Sequence, residues 1–159
     1  MLCCGGVSLM ILCPKYPRYV ELLAILLVGS HGVGFAQNVT VRLIDVRNGQ
    51  GARDQAVTLF LGDPAQASTP HLEATTSSDG VAVFHLPEAA SQVFVYTENG
   101  HIRACARQLL FPTAEVFKNG ITEKGDCKRN GKLSARFKAK PGEVIIFVRP
   151  LTLWERMQT

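Results

Sequence analysis

A chain of 159 residues, 47% hydrophobic and 19% charged, has material for one folded domain, and it shows no internal repeat or low-complexity stretch that would make it an array or a fibre. The formal net charge of +4 is unevenly carried: residues 37–102 hold three basic and seven acidic side chains, residues 103–159 twelve and five. A second half of net +7 suits an anionic partner, but nucleic acid is disfavoured, because Phe137 is the one aromatic among the basic residues of 128–140.

The chain opens with the parts of a secretory signal. Lys15 and Arg18 precede the apolar run Leu22-Leu23-Ala24-Ile25-Leu26-Leu27-Val28, which Gly29, Ser30 and Gly32 break. Gly34 and Ala36 put small side chains at the −3 and −1 positions of a cleavage after Ala36. A membrane-spanning helix needs roughly 20 apolar residues, and this run is shorter, with Glu21 and His31 at its ends. The expectation is a signal peptide over 1–36, with an uncleaved anchor as the alternative, and an exported protein, periplasmic or secreted, of 123 residues. Cys13 lacks the small residues before it that lipidation requires.

From Gln37 on, period-2 alternation predicts strands. Val39, Val41 and Leu43 alternate with Thr40 and Arg42, and Asn48-Gly49-Gln50-Gly51 turns the chain. Val57 to Leu61 is a second strand, ended by Gly62-Asp63-Pro64, and His71 to Thr76 a third. Asp79-Gly80 predicts a hairpin into a fourth, Val81 to Leu86, stopped by Pro87. Val93 to Thr97 is a fifth, closed by Asn99-Gly100, and Ile102 to Leu110 a sixth. A helical turn interrupts, with Thr113 placed to cap it, Glu115 at its positive end and Asn119-Gly120 at its close. Leu133, Ala135 and Phe137 alternate once more. After Pro141-Gly142 comes Val144-Ile145-Ile146-Phe147-Val148, the most continuously apolar run of the exported part and so the expected central strand. Short, closely spaced strands predict an all-β, antiparallel Ig/prealbumin-like sandwich of about seven strands over 37–150. The tail 151–159 carries the one Trp, and Thr152 with Glu155 fits a capping box. Two readings stand for it: a short C-terminal helix that plugs the end of the sandwich, or a docking tail for a partner or a membrane face.

Two of five cysteines, Cys105 and Cys127, fall outside the leader. In an exported protein such a pair reads as a disulfide, here closing a loop of 22 residues worth roughly 3 kcal/mol. Free thiols are the alternative; a metal centre lacks its remaining ligands.

The succession of Asn-Gly turn, Ala56-Val57-Thr58-Leu59, Thr75-Thr76-Ser77-Ser78-Asp79-Gly80, Val81-Ala82-Val83-Phe84, Leu86-Pro87 and Val93-Phe94-Val95-Tyr96 resembles the carboxypeptidase regulatory-like domain, a relative of transthyretin-like and Cna-B-type prealbumin sandwiches. The resemblance covers Val39 to Gly100. Members of that group carry Gly then Tyr after Leu-Pro, where this chain has Glu88-Ala89-Ala90-Ser91. The second half is similar to short bacterial exported proteins that carry this domain. The resemblance implies an accessory or binding module rather than an enzyme.

The residues themselves point the same way. His71, His85 and His101 stand outside any H-E-x-x-H, G-x-S-x-G or P-loop spacing. The Tyr-Arg-Gly-Ser terminus that a transthyretin-like hydrolase needs is replaced by Trp154-Glu155-Arg156-Met157-Gln158-Thr159. Asn38-Val39-Thr40 is a glycosylation sequon of the kind that chance supplies. The expectation is no catalytic residue, no cofactor and no metal. Candidate binding residues are Lys128, Arg129, Lys132, Arg136, Lys138, Lys140, Tyr96 and Trp154, facing a protein or envelope component, or alternatively a polysaccharide or anionic polymer; an enzyme using His85 or His101 is the third reading.

Overall fold

The computed structural model describes residues 37–158 apart from 67, 88–89, 98–100, 107–108 and 128–132. The leader, the Asn99-Gly100 turn, and Lys128, Arg129 and Lys132 therefore lie outside the described residues. The elements are β1 (Gln37–Asp45), β2 (Ala56–Phe60), β3 (His71–Thr75), β4 (Val81–Leu86), β5 (Gln92–Tyr96), β6 (Ile102–Ala104), β7 (Leu110–Pro112), α1 (Thr113–Asn119), β8 (Ile121–Thr122), β9 (Glu143–Pro150) and α2 (Leu153–Arg156).

They form two sheets. The first runs β4-β1-β9-β6, with β8 also beside β9, and the second runs β3-β2-β5-β7. Alternation decides which side chains meet between them. Val39, Val41 and Leu43 of β1, Ala82, Phe84 and Leu86 of β4, and Val144, Ile146 and Val148 of β9 join Val57, Leu59, Val93, Val95 and Phe111 of the second sheet, with Val116 of α1, in one buried core.

The sandwich is not wholly antiparallel. β1 pairs with β9 in parallel, Thr40 opposite Glu143 through Asp45 opposite Val148, and β8 is parallel to β9 as well. First and last long strands lie side by side, so everything between them serves as the crossover. Nine strands stand among the described residues instead of about seven, because three are only two or three residues long. The expected sixth strand splits: β6 joins the first sheet through β9, β7 joins the second through β5, and the chain changes sheet between them.

Asp79-Gly80 turns the chain tightly, with Gly80 N–H donating to the Ser77 carbonyl at 2.9 Å and Ser77 N–H to the Val81 carbonyl at 2.9 Å. It is a corner rather than a hairpin, since β3 pairs with β2 and β4 with β1. Gly80 (φ 72°) and Gly51 are required by close approach. A Cβ on Gly51 would sit 2.1 Å from the Asp79 carbonyl oxygen, and one on Gly80 2.5 Å from that of Leu43. Thr76 ties the corner down: its buried hydroxyl donates to the Ala52 carbonyl (2.7 Å) and accepts from Gln55 N–H (2.9 Å).

β9 is central, as its composition predicts, and it is buried on both faces. Ile145 and Phe147 point away from the sandwich core into a second cluster with Ile44, Val46 and Cys105, against which Cys127, Leu133, Phe137 and Ala139 are packed. Phe137 meets Phe147 edge-on at 6.0 Å between ring centres. The segment 133–137 is not a strand. Leu133 carbonyl accepts from Arg136 N–H (2.8 Å) and Phe137 N–H (3.3 Å), a helical turn. Leu133 and Phe137 fit a period of two and a spacing of four equally well; Ala135, which would decide, is exposed. The sulfurs of Cys105 and Cys127 lie at bonding distance, 2.11 Å, and the bond pins this cover to the outer face of the first sheet.

α1 begins one residue earlier than predicted. Pro112, extended at the end of β7, occupies the cap position, and Thr113 is the first helical residue, its buried hydroxyl without a partner. Proline suits this junction because the N–H it lacks would be unpaired there anyway. Gly120 closes the helix with its N–H on the Val116 carbonyl at 3.0 Å.

Candidate binding surface

The histidines stand on separate elements. His71 of β3 lies against the Phe60 ring at 5.5 Å, His85 of β4 has Nδ1 2.6 Å from Asn38 Oδ1, and His101 precedes β6 and accepts Leu151 N–H on its carbonyl. Among the described residues no group of three or more His, Cys, Asp or Glu is arranged to hold a metal ion.

An open groove of about 1100 Å³ runs along the 47–55 loop and is lined by Arg42, Asp45, Arg47, Arg53, Asp54 and Asp79 among others. Five of these six charged side chains have an oppositely charged neighbour. Arg47 chelates Asp45 (2.7 Å at the shortest), Arg53 lies 4.0 Å from Asp54, and Arg42 Nε donates to Glu143 at 2.8 Å. Burial alone would raise the Asp45 carboxyl, and the hydrogen bonds from Arg47 outweigh it and bring the group below its ordinary value. Little unbalanced charge is left there to recognise a ligand.

The predicted binding residues do not converge. Arg136, Lys138 and Lys140 are exposed on the stretch leading into β9, where Ala139 N–H is held by the Thr122 hydroxyl and Lys140 N–H by Glu143. Trp154 follows the other end of β9, about 25 Å away along an eight-residue strand. Tyr96 is 43% exposed and alternates with buried Val95, so it stands on the outer face of the second sheet. Arg149, which anchors the tail, alternates with buried Val148 on the outer face of the first. Tyr96 and Trp154 form no shared aromatic platform.

The tail does not plug the sandwich. Leu153, Trp154 and Met157 are 76%, 69% and 64% exposed. Only the polar side of α2 is docked. Thr152 caps it, accepting from Glu155 N–H at 3.3 Å, while the Glu155 carboxylate accepts from Thr152 N–H at 2.9 Å, the predicted capping box. Sequence reasoning missed the clamp behind it. Arg149 grips Glu155 with both terminal nitrogens, at 2.8 and 2.5 Å, and Arg103, opposite Arg149 in the β6–β9 register, lies 3.7 Å from the same carboxylate. No sequence signal places Arg103 there; only strand pairing does. The Arg149 hydrogen bonds, seconded by those of Thr152, hold the Glu155 carboxyl far below the usual carboxylate range. A single turn of helix frays in isolation, and the cap and the guanidinium clamp are what give this one a defined orientation.

Comparison with protein-family models, with curated proteins and with solved structures finds no match to this chain.

Proposed function

We propose that this protein is an exported, non-catalytic accessory module of the cell envelope, a carboxypeptidase regulatory-like, prealbumin-type sandwich that binds through α2. The observation that carries the reading is the clamped helical turn. Three large apolar side chains, each more than 60% exposed, are presented on a segment whose own polar groups are consumed in holding it still. A loose tail would hide or average such residues, whereas a pre-organised one lowers the entropy lost on binding. The bonded cysteine pair accords with an oxidising compartment. The corner at Asp79-Gly80 and the strand ended by Leu86-Pro87 accord with the resemblance to that domain group.

Photocrosslinking in intact cells tests it. A photoreactive residue at position 154 is expected to give a discrete adduct, and the same probe at Glu115, exposed on α1 beside the opposite end of β9, is expected to give none. Equal, diffuse labelling from both positions would remove α2 as the binding surface.

A further inference from the structure

We propose that the exported chain begins with pyroglutamate, formed when the α-amine of Gln37 attacks that residue's own side-chain carboxamide; this rests on the reading that residues 1–36 are removed by cleavage after Ala36. That cleavage leaves Gln37 as the first residue, the one place where a glutamine carries a free α-amine. The step balances within the residue. A bond forms between the α-nitrogen and Cδ, and the bond from Cδ to Nε2 breaks. The side-chain nitrogen takes one proton from the amine and leaves as ammonia. No oxidant, metal or second substrate is consumed.

Amine acidity and ring size single out these two groups. An α-amine titrates at about 7.7–8.0 and a lysine amine at about 10.4, so near pH 7 about a tenth of α-amines are nucleophilic, against about one lysine in two thousand. Attack on the Gln37 carboxamide closes a five-membered ring, and holding both groups in one residue replaces an encounter between molecules. Attack on Asn38 would close a seven-membered ring through the 37–38 peptide, whose trans planarity opposes it. Asn38 is also engaged, its Oδ1 lying 2.6 Å from His85 Nδ1.

The fold admits the ring. Gln37 is exposed and stands opposite Leu86 of β4, while β9 joins β1 only from Thr40 on. By alternation it shares the inward side of β1 with Val39 and Val41, but it lies outside the core that buries them and Leu86. A terminal ammonium there borders apolar side chains, whereas the lactam is uncharged and keeps its N–H as a donor. A five-membered ring at the first residue of a strand is tolerated, as proline is in that position.

The test reads the terminus of protein expressed with its full leader and taken from an exporting host at harvest. The tryptic peptide Gln37–Arg42 is expected to be lighter than its sequence by one ammonia, closed to amine-reactive label and opened by pyroglutamyl peptidase. Gln37→Ala is expected to give a terminus of full mass that takes the label. A free, labelled amine on Gln37, a lactam that forms only on storage, or a block that persists in Gln37→Ala would each overturn the proposal and leave the leader reading intact. A first residue other than 37, or a retained leader, removes both.

Discussion

Replacing Cys105 and Cys127 together by Ala tests whether the 123–140 cover is held by its own packing or by the sulfur bridge. The closed loop spans 22 residues, which in the chain-entropy model is worth about 3 kcal/mol at 25 °C. In a domain of this size that corresponds to a fall in melting temperature of roughly 10–15 °C. The loss should not be uniform. Around the bridge, backbone bonds join the cover to the sheet: Cys105 N–H on the Phe147 carbonyl (2.8 Å), Asp126 N–H on the Cys105 carbonyl (2.8 Å) and Glu123 N–H on the Ile145 carbonyl (3.0 Å). Without the bridge these three amides should exchange with solvent by local opening, while those pairing β1 with β4 keep the protection of the global fold. Thermal melting by circular dichroism gives the total, and residue-resolved hydrogen exchange gives its distribution. A loss under about 1 kcal/mol together with unchanged protection at Glu123 and Asp126 would refute the idea that the bridge holds the cover down.

Four further outcomes are expected. Thr76→Val leaves the Gln55 N–H without its acceptor in the corner and should cost about 1–3 kcal/mol in urea unfolding, whereas Thr113→Val removes a hydroxyl with no partner and should be neutral or slightly stabilising. Glu143→Ala strips the acceptor from both Arg42 Nε and Lys140 N–H at the β1–β9 seam; the expected cost is again about 1–3 kcal/mol, reduced from that of a fully buried pair because Arg42 is partly exposed, and a loss below 0.5 kcal/mol in denaturant titration would count against the seam. Gly51→Ala should leave little folded protein on expression, since its Cβ would collide with backbone rather than with a yielding side chain. The Glu155 carboxyl is lowered in the folded tail, so its contribution is fully present above the ordinary glutamate value of about 4.3 and is lost as pH falls below it. The protection of the Glu155 and Arg156 amides, taken against the intrinsic exchange rate at each pH, should accordingly fall in acid, and Arg149→Gln should move that onset to higher pH; an onset indifferent to Arg149 would remove the clamp.

What was legible in the sequence was what is local. The alternation of Val39, Val41 and Leu43, the tight turn at Asp79-Gly80, the capping box of Thr152 and Glu155 and the pairing of two cysteines each depend on residues close in the chain or on simple arithmetic. The unbroken apolar run also identified β9 as central, because only a strand covered on both faces can be apolar at every position from Val144 to Val148. What covers its outer face was not legible, since Leu133 and Phe137 satisfy two periodicities at once and only contact with Ile145 and Phe147 chooses between them.

The candidate surface divides in the same way. Apolar residues in a capped turn at 152–157 are a sequence pattern, and by itself that pattern suits a plug as well as a docking face. The choice was made by Arg149 and Arg103, brought side by side by the β6–β9 register and turned outward by the buried residues flanking them. A carboxylate goes where two guanidinium groups stand, so Glu155 turned inward and Trp154 was left facing water. Side-chain spacing along a chain sets which faces exist; which of them is covered depends on residues far apart in sequence, and tertiary pairing alone brings those together.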